Sequence, residues 1–131
     1  MEIHISVIGM LLIGLALVHA VFPTYFDWAK ELRSLSLINR QLMYVHTFFI
    51  ALVVLLMGIL CLTSQKELAE STLGKKIALG FSLFWICRLL AQFFWYSPKL
   101  WQGKTFETIV HGLFILLWTY FSTVFMLIFL A

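Results

Sequence analysis

Six polar residues stand inside otherwise apolar stretches: His19, His46, Arg88, Gln92, Glu107 and His111. An ionisable group costs roughly 2.5–3.5 kcal/mol to insert at the centre of a membrane helix, so such residues are the first place to look for chemistry. At about 1.5 Å of rise per residue, His19 lies about 5 Å inward from its helix end, Gln92 about 6 Å, and His46 and His111 about 7 Å. One polar group from each of four segments thus falls in a single layer. Arg88 is one turn from Gln92 on the same helical face, and Glu107 is one turn from His111, because residues i and i+4 overlie one another.

Three neutral imidazoles with an open fourth position match the ligand count of a catalytic zinc, copper or iron site. His19, His46 and His111 are the expected ligands, supported by Gln92 or Glu107. In the haem version two of these histidines ligate the iron, Arg88 pairs with a propionate and the aromatic residues flank the macrocycle. Nothing in the spacing is diagnostic. The chain has no His-Glu-x-x-His and no Cys-x-x-Cys, and its four histidines are too few for a multi-histidine di-iron cluster. A second class of function uses the same pocket to relay protons or to carry a small anion. Against a through-path, the opposite ends of the helices offer only weak groups such as Ser6, Ser82, Ser122 and Thr123. A third class is a subunit of a larger membrane complex without chemistry of its own. Simple structural roles also compete: a histidine can turn back to the interface, Arg88 can snorkel, His111 can bond Glu107, and Gln92 can bridge two helices.

The elements that must position these residues are membrane helices. Of 131 residues, 63% are hydrophobic and 11% charged, against about 25% charged in a soluble domain. Four apolar stretches, 3–22, 41–62, 77–96 and 106–130, each reach the roughly 20 residues needed to cross the hydrocarbon layer. The expected fold is therefore an all-α integral membrane four-helix bundle forming one transmembrane domain over 1–131. No room is left for a soluble catalytic or nucleic-acid-binding domain. Glu2 is acidic where a secretory signal carries Lys or Arg, so the first stretch reads as a span. Cys61 and Cys87 fall in different helices, and no disulfide is expected.

Side A is defined here as the face with both termini and the loop 63–76, and side B as the face with the loops 23–40 and 97–105. Side B carries Lys30, Arg33, Arg40, Lys99 and Lys104, whereas side A carries Lys66, Lys75 and Lys76. The positive-inside rule then places side B in the cytoplasm and both termini outside. Trp28, Leu32, Leu35 and Ile38 recur at helical spacing, which predicts an amphipathic interfacial helix over about 26–38. Tyr25, Trp28, Tyr44, Trp95, Tyr96 and Trp101 form an aromatic belt at the same boundary. Pro23 and Pro98 fit helix ends, and Gly74 and Gly103 fit turns. Gly9, Leu12, Ala16 and His19 share one face of the first helix, which permits close helix approach. The apolar end of the fourth helix, 121–130, suits contact with lipid or with other proteins, and association as a homo-oligomer or complex subunit is expected.

Overall fold

Apolar runs of this length leave the backbone one way to satisfy its N–H and C=O groups in hydrocarbon, namely helix. The computed structural model, which describes residues Met1–Ala131, is 85% helical and contains no strand. Its elements are α1 (Glu2–His19), α2 (Phe22–Tyr25), α3 (Trp28–Glu31), α4 (Leu37–Thr63), α5 (Gln65–Glu70), α6 (Thr72–Phe94), a 3₁₀ turn (Pro98–Leu100) and α7 (Thr105–Leu130). The helices α1, α4, α6 and α7 are long and apolar enough to cross a membrane. The chain divides into two compact units, Ile3–Gln65 and Lys66–Ala131, the latter including Met1–Glu2.

In the first unit α1 and α4 meet at glycines. A Cβ built on Gly58 would lie 2.9 Å from the Gly9 carbonyl oxygen and 2.9 Å from Ile13 Cγ1. Lipid tails are as apolar as leucine, so association here rests on van der Waals contact, which small residues at the crossing maximise. Gln65 Nε2 donates to Ser6 Oγ at 3.0 Å and ties the side-A ends together. Gly58→Leu is expected to cost about 1–3 kcal/mol, the usual range for overpacking, and SDS titration of the purified protein would measure it. An unchanged midpoint would show that the crossing yields freely.

The expected interfacial helix over 26–38 does not form as one piece. Asp27 adopts a left-handed conformation (φ 51°) between α2 and α3, and it is the single non-glycine residue with positive φ. Aspartate tolerates that region better than most residues. Ser36 then starts α4 four residues before the expected boundary at 41, its hydroxyl accepting from the Asn39 N–H at 3.4 Å. Trp28, expected as an interfacial anchor, is instead buried, with its ring edge-on to Tyr44 at 5.3 Å. Pro23 lies in the first turn of α2, where a missing N–H costs nothing, and does not close α1.

In the second unit α6 and α7 lie side by side. Ser82 Oγ donates to the Ser122 carbonyl at 2.8 Å, and Ser122 Oγ donates to the Trp118 carbonyl at 2.8 Å. Of these weak candidates for a transport path, the Ser82 hydroxyl is spent on pairing α6 with α7 and the Ser122 hydroxyl on its own helix. Phe121 and Phe125 are fully buried, while Leu127 and Leu130 remain exposed. The connection expected as a loop over 63–76 contains the short helix α5, and Ser71 caps α6 by accepting from the Gly74 N–H at 2.8 Å. Gly74 therefore lies in the first turn of a helix, whereas Gly103 (φ 78°) occupies a turn as expected. Both cysteines are free, Cys61 buried and Cys87 exposed.

Candidate functional site

Toward the side-B end of the second unit, three of the six polar residues come together. Arg88 and Gln92, one turn apart on α6, are bonded through Arg88 Nη1, which donates to Gln92 Oε1 at 3.2 Å. Trp118 Nε1 on α7 donates to the same oxygen at 3.4 Å. The other end of the amide, Nε2, lies 2.7 Å from His111 Nδ1. Gln92 is 7% exposed, and both ends of its amide are hydrogen-bonded to protein.

The protonation pattern follows from these contacts. Guanidinium and indole N–H groups donate only, so two obligate donors on one atom identify it as the amide oxygen. The facing atom is then the amide nitrogen, a donor, and His111 Nδ1 must accept from it. A neutral His111 consequently carries its proton on Nε2 and offers a donor at that edge of the ring. Metal ligation through Nε2 would require the other tautomer and a rearranged bond to Gln92.

Aromatic faces complete the site. The Arg88 guanidinium carbon lies 5.1 Å from the Trp118 ring centre and 5.3 Å from that of Tyr96, within cation–π range. Trp118 stacks on Trp85 at 4.9 Å and on Phe114 at 5.3 Å. Trp101 stacks on His111 at 4.6 Å and 14°, and the Thr108 hydroxyl pins this loop by donating to the Trp101 carbonyl at 2.6 Å. Trp85, one turn before Arg88, is 2% exposed, and its Nε1–H has no hydrogen-bond partner. Buried donors of that kind are rare and call for an explanation.

In the sequence Tyr96 and Trp101 read only as boundary anchors, and nothing sets Thr108 apart. The available signal is that Arg88 points toward side B, where the belt residues lie. Glu107 does not meet His111, whose Nδ1 is taken by Gln92. It is exposed in the first turn of α7, where a carboxylate favours the positive end of the helix dipole.

His19 and His46 belong to the other unit. His19, at the end of α1, places Nδ1 2.8 Å from the Leu15 carbonyl oxygen and its ring 4.8 Å from that of Phe22. A carbonyl only accepts, so Nδ1 is the protonated nitrogen and Nε2 keeps its lone pair. His46 is exposed on α4. No group of three or more His, Cys, Asp or Glu side chains is placed to hold a metal ion. Compared with known protein families, curated proteins and solved structures, the chain matches none.

Proposed function

We propose that this multi-pass membrane protein recognises a small anionic molecule, a carboxylate or phosphate, through Arg88, Gln92 and His111, as the binding step of transport at the side-B face. One observation carries the reading: Arg88 sits within a spanning helix, and its partners are the neutral Gln92 amide and two aromatic faces, with no carboxylate among them. A cation in such surroundings attracts a counter-ion strongly, because the local dielectric is low. Arg88 would supply the charge and a planar pair of donors, His111 Nε2–H a further donor, and Gln92 the bond that holds both in place. With side B cytoplasmic, as the loop charges favour, the anion would enter from the cytoplasm.

Titration of the purified protein with acetate, benzoate and inorganic phosphate, followed by flux of the same anions in proteoliposomes, tests the reading. A charge-assisted bond is worth about 1.5–3 kcal/mol, so Arg88→Gln is expected to weaken binding by roughly ten- to a hundredfold. Equal anion affinity in wild type and a folded Arg88→Gln variant would overturn it.

A second reading, a metal ion (zinc, copper or iron) or haem held through histidine, is favoured by one feature: His19 is in the tautomer of a ligand, with Nδ1–H on a carbonyl and Nε2 open. An absorption spectrum, oxidised and reduced, with elemental analysis of the same sample separates it from the first.

A further inference from the structure

The first unit contains a cavity of about 460 Å³, within the range of small-molecule sites, and the anion reading does not use it. It exists because α1 and α4, in contact at Gly9 and Gly58, are lined further toward side B by alanines, which leave space unfilled. Tyr44, Thr47, Phe48, Ala51, Leu52 and Leu55 form its α4 wall. These positions recur at three- and four-residue spacing, so they lie on one face and run about 16 Å along the helix. Opposite them stand Ala16, Leu17, His19 and Ala20 of α1 and its end, with Pro23 and Trp28 from the following segment.

The lining has a polarity gradient. Deeper in the membrane the walls are Leu52 and Leu55, whereas His19, Trp28, Tyr44 and Thr47 gather toward the side-B end. The mouth is flanked by Leu17 and Phe48, 65% and 61% exposed on spanning helices, so it is reached from the hydrocarbon. His19 turns Nδ1 back to the Leu15 carbonyl, leaving Nε2, an acceptor, as its one polar atom for an occupant. An apolar slot whose interfacial end offers the His19 acceptor beside the side chains of Tyr44 and Thr47 fits a molecule with an apolar body and one hydroxyl head.

We infer that this cavity binds a membrane-soluble alcohol or phenol, its hydrocarbon body lying along α4 between Ala51 and Leu55 and its hydroxyl donating to His19 Nε2. No electron or group transfer is implied. The inference is independent of the Arg88 site, because every residue lining the cavity belongs to residues 3–65.

The test is photo-labelling of the full chain in nanodiscs with a diazirine-bearing hexadecanol, with the methyl ether of the same probe as control. Labelling is expected on peptides containing Leu17 and Ala51–Leu55, saturable by unlabelled hexadecanol. Loss of one hydrogen bond within a membrane corresponds to about threefold to tenfold in affinity. The methyl ether and His19→Phe should each weaken labelling by that factor, and Ala51→Trp, which fills the slot, should abolish it. Equal, non-saturable labelling by alcohol and ether in the wild-type chain would identify ordinary boundary lipid and overturn the inference without reliance on any variant. A Soret band from the same preparation that shifts in His19→Phe would assign Nε2 to iron and overturn it as well.

Discussion

Replacing Gly74 by alanine will destabilise the α5–α6 corner by about 3 kcal/mol, the upper end of what overpacking costs, and valine will add little to that loss. The damage is done by the first carbon. A Cβ at this position would meet the Glu67 carbonyl group and the Leu68 Cα, all of them backbone atoms that cannot rotate away. The same backbone is already held by the Ser71 hydroxyl, which donates to the Glu67 carbonyl at 2.6 Å while accepting from the Gly74 N–H. Relief therefore requires α5 to leave α6 and Leu68, 2% exposed, to lose its burial. Gly80→Ala on the same helix is the control, since nothing lies within 4 Å of its Cβ. Alanine exceeds glycine in helix propensity by about 1 kcal/mol, so that variant should be neutral or stabilised. Unfolding midpoints in SDS or by heating give the comparison. Equal midpoints for the two alanine variants would mean that the corner is looser than its hydrogen bonds indicate.

The second large effect concerns Gln92, and it separates structural from binding roles. Gln92→Leu keeps the volume but strands three groups together: Arg88 Nη1, Trp118 Nε1 and His111 Nδ1. Within membranes one such bond averages about 0.6 kcal/mol and reaches about 1.7, so a loss of about 2 kcal/mol is expected. Gln92→Glu should behave differently. It sets a carboxylate beside Arg88 and supplies from the chain itself the counter-charge that the site otherwise draws from a ligand. Stability should be kept, because Arg88 and Trp118 still have an acceptor and His111 can donate from Nδ1 in its other tautomer. Anion affinity should fall by at least about tenfold, since the incoming anion now meets a carboxylate. Unfolding midpoints and acetate or phosphate titration on both variants make the measurement. A Gln92→Glu variant that folds and binds anions as tightly as wild type would exclude Arg88 as the anion's partner.

Counting residues set Gln92 and His111 in one expected layer with His19 and His46, and Arg88 one turn from Gln92, without separating these three from the other polar residues. Rotation about the helix axis does not follow from counting. Gln92 and His111 could have agreed in depth and faced away from each other; instead the Ser82–Ser122 and Trp85–Trp118 contacts set the azimuth of both helices and bring the amide within 2.7 Å of the imidazole. His19 was expected at a similar depth, yet α1 ends on it, and its ring turns to its own helix and to Phe22.

By itself, the amino-acid sequence determined that this chain is helical and membrane-spanning, because unbroken apolar runs in hydrocarbon leave no other way to satisfy the backbone. It singled out the polar residues within those runs as well, but the helix ends moved: His19 is the last residue of α1, Gln92 lies two residues from the end of α6, and His46 lies nine residues beyond the start of α4. The open lone pair on His19 follows from a bond within α1, whereas tertiary structure alone decided which of the polar residues touch across helices, and with that the proton on His111 Nε2. The break at Asp27, the helix between Gln65 and Glu70, and the space left at Ala16, Ala20 and Ala51 were decided there too. The reason is physical: apolar periodicity reports the polarity of a residue's surroundings, whereas contacts depend on helix rotation and on crossings such as Gly9–Gly58, which many sequences with the same pattern could arrange differently.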